Sequence, residues 1–192
     1  MTHAKRVVLS LAVLASLPAA AAEIAGTIKV ADPAEADRTV VYVESVPGAA
    51  VPPKQRLRLS QKGARFTPTV LPVVQGTEVD MTNDDIVTHN VFSKAPVKTF
   101  DLGLYSKEER NVVKFDKPGV VPIFCSIHPR MNATVVVLQN PFFAKPDERG
   151  TFRINGVPAG QHTLKVFRHG HLEPIAVRKV SVPASGKVSV KL

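Results

Sequence analysis

Cysteine, tryptophan and long apolar runs are scarce or missing in this sequence. The 192 residues include one cysteine, Cys125, so no internal disulfide can form. Tryptophan is absent, and aromatic side chains for a core must come from nine phenylalanines and two tyrosines. No apolar run reaches the roughly 18 residues that a membrane-spanning helix requires. The apolar content of 44% is nevertheless that of an ordinary folded protein, which excludes a polytopic membrane protein and a disordered chain.

The first 22 residues have the pattern of a secretory signal peptide. Lys5 and Arg6 precede an apolar run, Val7–Leu17, and small residues follow as far as Ala22. A basic start, a short apolar stretch and an A-x-A-like end are the three parts of such a signal. We therefore predict a signal peptide at residues 1–22 and a periplasmic or secreted protein without stable membrane insertion.

The charge balance is basic, with a formal net charge of +9. Such a surface suits acidic partners or anionic membranes. Nucleic acid is excluded as a partner, because the protein is predicted to be exported and no basic tract is interleaved with aromatic residues. Lys94, Lys98, Lys107 and Arg110 lie close together in the sequence. They form either a docking rim or a solvated edge.

Apolar and polar residues alternate between turn signals along most of the chain, which predicts an all-β protein. Strands are predicted near residues 26–30, 39–43, 56–60, 69–74, 77–82, 88–93, 97–100, 111–115, 119–124, 133–138, 150–154, 162–167, 175–182 and 187–191. One short helix is predicted around Ser106–Arg110. Many short strands with frequent turns indicate a sandwich or a barrel.

Side chains that bind soft metal ions surround the single cysteine. In an exported protein an unpaired cysteine is an intermolecular bridge, a buried thiol or a metal ligand. The segment Cys125–Met131 adds the imidazole of His128 and the thioether of Met131, and His89 supplies a second imidazole from another predicted strand. Two histidines and a cysteine with a weak axial methionine are the ligands of blue-copper electron-transfer sites. Structural zinc sites prefer several thiolates, so we predict one copper ion of type 1.

The region around these residues resembles the plastocyanin/azurin family of cupredoxins. The resemblance rests on Phe66-Thr67-Pro68, Gly76-Thr77-Glu78-Val79, Thr82-Asn83-Asp84, His89-Asn90-Val91-Phe92-Ser93, Gly119 and Cys125-x-x-His128-x-x-Met131. It covers about residues 55–139, and the two-residue gap between the second histidine and the methionine resembles the short ligand loop of amicyanin. The resemblance implies a Greek-key β-sandwich.

The resemblance also implies roles for individual residues. His89, Cys125 and His128 would be the equatorial ligands, and Met131 would be the axial ligand. Asn90 would tie the ligand loops together and offer its backbone N–H to the Cys125 sulfur. The implied function is transfer of single electrons, with His128 at an apolar surface as the exit.

We predict an electron carrier and not an enzyme, because one-electron transfer changes no substrate bond. The sequence also shows no catalytic triad, paired catalytic carboxylates or phosphate loop. Its partner would be an exported cytochrome or dehydrogenase. One alternative is a periplasmic copper-binding protein for storage or delivery. Another is an envelope or adhesion β-sandwich without a metal. His169 and His171 belong either to a solvated loop or to a second metal site.

Residues Asp147–Leu192 resemble the carboxypeptidase regulatory-like (transthyretin-like) β-sandwich. The likeness rests on an acidic turn, a Gly-x-Phe strand from Gly150 and the Val157–Gly160 turn. In that family the first strands precede the acidic turn and read like Gly26–Val30 and Val40–Glu44, which here lie upstream of the cupredoxin-like region.

The order of these segments predicts an inserted domain. A cupredoxin domain at residues 54–139 would interrupt an accessory sandwich formed by residues 23–53 and 140–192. The alternative is that residues 26–44 add strands to the cupredoxin, and the sequence pattern leaves both arrangements open.

Overall fold

The computed structural model describes residues 22–48 and 51–192, and most of these residues lie in β-strands. The strands are β1 Ala22–Thr27, β2 Thr39–Val43, β3 Leu57–Gln61, β4 Phe66–Thr67, β5 Val70–Val74, β6 Thr77–Asn83, β7 His89–Ala95, β8 Lys98–Tyr105, β9 Arg110–Phe115, β10 Gly119–Phe124, β11 Asn132–Leu138, β12 Phe143–Ala144, β13 Thr151–Val157, β14 Gly160–Arg168, β15 Ala176–Val182 and β16 Lys187–Lys191. The predicted all-β class is confirmed. The predicted signal peptide, apart from Ala22, lies outside the described residues.

Helix is confined to one short segment of the described chain, α1 at Pro33–Asp37. The Asp32 side chain caps α1 by accepting a hydrogen bond from the Glu35 N–H at 2.8 Å, and proline suits its first turn. The helix predicted at Ser106–Arg110 is wrong. There the Ser106 N–H donates to the Glu109 carboxylate, which closes a tight turn between β8 and β9. No helix in residues 22–48 and 51–192 is long and apolar enough to cross a membrane.

Strands β3–β11 form what we call the central sandwich. A five-stranded sheet with the order β5-β11-β10-β7-β8 and a four-stranded sheet with the order β4-β3-β6-β9 enclose one hydrophobic core. Strand β6 shows how the sequence produces this arrangement. Val79 and Met81 are fully buried, while Glu78 and Asp80 alternate with them on the more exposed face.

Strands β1, β2 and β12–β16 form the terminal sandwich, whose sheets have the orders β13-β1-β16 and β12-β2-β14-β15. Strand β1 runs antiparallel to β13 and parallel to β16. Gly26 permits this close pairing, since a Cβ there would lie 2.3 Å from the Val190 carbonyl oxygen. The strands before residue 57 therefore pair with strands after residue 140. The division of the chain into two domains stays a prediction.

A small apolar group lies where the two sandwiches meet. This junction cluster consists of Val40, Val70, Val136, Leu138 and Phe167. Strand β11 contributes alternate residues to the junction cluster and to the core of the central sandwich. A strand buried on both faces has no polar face, which explains the continuous apolar run in β11.

Candidate metal centre

Three neighbouring strands bring the predicted ligands to one end of the central sandwich. His89 begins β7, and Cys125 follows β10, the strand paired with β7. Strands β10 and β11 are joined by the loop of residues 125–131, which contains His128 and ends at Met131. Because adjacent strands of a sheet are about 5 Å apart, donors at the ends of β7 and β10 come within reach of one ion.

The three equatorial candidates form a compact triangle of donor atoms. His89 Nδ1 lies 3.1 Å from His128 Nδ1, and the Cys125 sulfur lies 4.0 Å and 3.7 Å from these two nitrogens. An ion with bonds of about 2.0 Å to nitrogen and about 2.3 Å to sulfur needs donors roughly 3.3–3.8 Å apart. The triangle therefore fits one first-row transition-metal ion. Among the histidine, cysteine and acidic side chains of the described residues, these three form a group that is spaced closely enough to hold a metal ion.

Burial differs among the four side chains in a way that matters for chemistry. His89 is fully buried, Cys125 is 5% exposed and Met131 is 1% exposed. His128 is only partly buried. Three of the four candidate ligands are thus shielded from solvent, and the imidazole of His128 lies at the boundary with solvent.

Hydrogen bonds hold the ligand loop in shape. The Met131 N–H donates to the His128 carbonyl at 2.8 Å, and the Cys125 N–H donates to the Met131 carbonyl at 3.3 Å. The Asn90 side chain accepts from the Ser126 N–H and so ties β7 to this loop. The hydrogen bonds of the described residues do not include the predicted one from the Asn90 backbone to the sulfur.

Asp85 is a part of the centre that the sequence analysis missed. Its carboxylate accepts a hydrogen bond from His89 Nε2 at 2.7 Å. With the proton on Nε2, the lone pair of Nδ1 faces the cysteine and the second histidine. Hydrogen bonds from the backbone N–H groups of Gly63 and Ala64 lower the pKa of Asp85 to about 2, with a smaller contribution from His89. The carboxylate is therefore ionised at all moderate pH values.

The position of Asp85, four residues before His89, was the feature of the sequence that could have predicted this contact. The sequence did not distinguish it from its neighbour Asp84, which instead contacts Arg58 and Ser60. The two aspartates are consecutive in the loop after β6, and their side chains contact different partners.

The remaining histidine candidates lie elsewhere. His169 contacts Asn132 and Thr134 through its two ring nitrogens, at 2.7 Å and 3.0 Å. His171 is exposed in the following turn. Neither belongs to the donor group found within the described parts of the chain.

Comparisons with known proteins found no matching family model and no matching curated protein. Similar solved structures include a purple cupredoxin from Nitrosopumilus maritimus, at 27% identity and a TM-score of 0.39, covering 42% of this chain and 98% of that one. Amicyanin from Paracoccus versutus is 24% identical with a TM-score of 0.40, over 50% of this chain and 96% of that one. A copper-containing nitrite reductase from Thermus scotoductus is 27% identical with a TM-score of 0.41, covering 58% of this chain and 28% of that one. At TM-scores below 0.5, these likenesses do not establish a family for the chain.

Proposed function

We propose that this protein binds one copper ion in a type 1 site and carries single electrons between exported proteins. The observation that supports the proposal best is the triangle of His89 Nδ1, Cys125 Sγ and His128 Nδ1, with edges of 3.1–4.0 Å. Copper held by two imidazoles and a thiolate exchanges one electron between Cu(II) and Cu(I). No substrate bond changes, so the proposed activity is not enzymatic.

The donor set favours copper over zinc. A thiolate and a thioether suit Cu(I), while imidazoles suit both oxidation states of copper. Met131 is buried and immediately precedes β11, at the end of the loop that carries Cys125 and His128. We assign it as the axial ligand, because a thioether is a weak donor that would leave the three equatorial donors dominant.

The surroundings of the donors limit movement during electron transfer. His89 is held by Asp85, and Cys125 and Met131 are held by backbone hydrogen bonds within the loop. Side chains fixed in this way keep their positions in both oxidation states. A small rearrangement on reduction means a low barrier to electron transfer.

We assign His128 as the point where electrons enter and leave. It is partly exposed, and the apolar side chains of Ile127 and, near the other histidine, Ile86 and Val87 are also exposed. Exposed apolar side chains in the loops that carry the ligands suit brief contact with a redox protein such as an exported cytochrome or dehydrogenase.

Three experiments on the purified protein test this proposal. Addition of Cu(II) should produce an intense visible absorption band from the thiolate. The copper should be reduced and reoxidised reversibly at an electrode. A Cu(I) chelator should remove it slowly, because three of the four donors are buried; rapid and complete transfer to the chelator would indicate storage or delivery instead. Failure of the protein to bind any copper would contradict both hypotheses.

Replacing the axial candidate should change the reduction potential in opposite directions. In Met131→Leu the potential should rise, since loss of a weak donor disfavours Cu(II), and the protein should stay coloured. In Met131→Gln it should fall, because an oxygen donor favours Cu(II). Cyclic voltammetry of both variants checks this, and unchanged potentials in both would show that Met131 does not coordinate the metal.

Neutralising Asp85 should also raise the potential. The carboxylate makes the His89 imidazole a stronger donor, which stabilises Cu(II), and loss of such a partner typically costs 10–100-fold in metal affinity. If Asp85→Asn weakens the binding of Cu(II) by this factor and leaves the binding of Cu(I) unchanged, the reduction potential rises by roughly 60–120 mV. Asp84→Asn is the matched control, because Asp84 contacts Arg58 and Ser60. Equal shifts in the two variants would contradict the assigned role.

A further inference from the structure

A cleft of about 420 Å³ lies between the two sandwiches, next to the candidate metal centre. Three arginines line it, and each comes from a different part of the chain. Arg38 follows α1 in the terminal sandwich, Arg65 lies in the turn between β3 and β4, and Arg130 lies in the ligand loop. The other lining residues are Phe66, Thr69, Met131, Asn132 and His169. We call this the arginine cleft.

The three guanidinium groups lack acidic partners among the residues that the structure describes. Arg58 and Arg168 form ion pairs with carboxylates at 2.5 Å, whereas exposed arginines such as Arg110 have none within the described residues. The cleft differs from these single arginines because three unpaired arginines line one cavity. All three are exposed to solvent, and no carboxylate of residues 22–48 or 51–192 forms an ion pair with them. A bound anion would supply the opposite charge that these three cations lack.

His169 also lines the cleft, and the hydrogen bonds of its ring indicate the neutral form. Asn132 donates its amide N–H to the Arg130 carbonyl, so its Oδ1 is free to accept from His169 Nε2–H. His169 Nδ1 then accepts from the Thr134 hydroxyl. Burial, and secondarily the charge of Arg38, lower the pKa of His169, in keeping with a neutral ring. The His169 ring, which follows β14 of the terminal sandwich, thus connects to β11 of the central sandwich and holds the residues next to Arg130 in place.

We propose that the arginine cleft binds a phosphate group, held by Arg38, Arg65 and Arg130. Guanidinium groups present paired N–H donors that match the oxygens of phosphate, and they stay charged at all relevant pH values. The volume of the cleft is in the range of small-molecule sites, so it accommodates either inorganic phosphate or the phosphate of a small organic molecule. Phe66, which is 4% exposed, also lines the cleft and would contact an organic substituent there.

Binding is tested by isothermal titration calorimetry of the full chain at low ionic strength, with inorganic phosphate and with phenyl phosphate. Each of Arg38→Gln, Arg65→Gln and Arg130→Gln should weaken binding roughly tenfold, as expected for loss of one charged hydrogen-bonding group. Arg153→Gln is the matched control, because Arg153 pairs with Glu23 on a strand of the terminal sandwich. Tighter binding of phenyl phosphate would identify an organic phosphate as the ligand, and tighter binding of inorganic phosphate would identify the free ion.

Two results would overturn the proposal. One is the absence of saturable binding of either probe to the unaltered protein. The other is equal weakening by Arg153→Gln and by the three cleft variants, which would show attraction to the overall positive charge only. Near-ultraviolet circular dichroism of each variant verifies that the fold is intact.

Binding in the cleft should also affect the metal centre. Arg65 and Arg130 line a second, adjoining cleft together with His128, Pro129 and Met131. The turn that carries Arg65 is held by Asp85, which contacts His89. Negative charge so close to the centre stabilises Cu(II) relative to Cu(I), so phosphate should lower the reduction potential.

This consequence rests on the proposed function, and voltammetry of the copper-loaded protein tests it separately. Phosphate should lower the potential of the unaltered protein and have a smaller effect on Arg38→Gln, whose guanidinium is outside the second cleft. Saturable binding without any change of potential would refute the coupling and leave the phosphate site standing. A protein that binds phosphate and no copper would refute the proposed function alone.

Discussion

The Cys125→Ser variant should lose the visible charge-transfer band of the copper-loaded protein completely. The band requires a thiolate bonded to Cu(II), and a serine hydroxyl is a poor donor to that ion. Loss of a partner outside the ligand set already costs 10–100-fold in metal affinity, so loss of one of the four ligands should weaken Cu(II) binding by more than about 100-fold. Absorption spectra during a Cu(II) titration measure both effects.

Two further variants make the result interpretable. Cys125 is 5% exposed and belongs to the core of the central sandwich, where an unpaired hydroxyl costs about 1–3 kcal/mol. Cys125→Ala avoids that cost and should give the same loss of the band. Ser126→Ala changes the exposed neighbour and should leave the band unchanged. Survival of the band in Cys125→Ser and in Cys125→Ala would disprove thiolate ligation.

The second large effect concerns the division into two domains. Leu164 and Ile123 are both fully buried, Leu164 in the core of the terminal sandwich and Ile123 in the core of the central sandwich. Truncating a buried leucine or isoleucine to alanine costs about 2–5 kcal/mol. If the sandwiches unfold separately, calorimetry of the copper-free protein shows two transitions, and each variant lowers one of them by on the order of 10 °C or more.

Copper provides an independent assignment of the two transitions. A ligand that binds only the folded state stabilises it by about 2.7 kcal/mol at 100 times its dissociation constant. Copper should therefore raise the transition that Ile123→Ala lowers and leave the other in place. If an alanine variant does not fold, the milder changes Leu164→Val and Ile123→Val replace it, and the second of these costs about 0.5–1.5 kcal/mol. A single transition, shifted equally by both substitutions, would contradict separate unfolding of the two sandwiches.

The all-β class and the candidate ligands could be predicted from the sequence because both depend on short-range patterns. Alternation with period two marks a strand that is buried on one face, as in β6. Three of the candidate donors occur within the seven residues 125–131, and a loop that joins two paired strands keeps such residues together in space. His89 was identified by its residue type and its strand, and the structure places it beside Cys125 and His128.

The features that the sequence did not predict depend on which distant segments meet. The choice between Asp85 and Asp84 as the partner of His89 follows from the path of one turn and from backbone N–H groups more than twenty residues earlier. The arginine cleft joins residues near positions 38, 65 and 130. Neither arrangement leaves a local pattern in the chain.

The pairing of β1 and β2 with strands more than a hundred residues later has the same origin. The continuous apolar run of β2, from Val40 to Val43, indicated burial on both faces but did not specify the partners, since any apolar strand of similar length satisfies the same pattern. The tertiary structure selects the partners, with Val41 and Val43 in the terminal core and Val40 in the junction cluster. Local sequence determined where most strands form and which side chains are candidate metal ligands, whereas side-chain packing and close backbone approach, as at Gly26, decided which strands lie together.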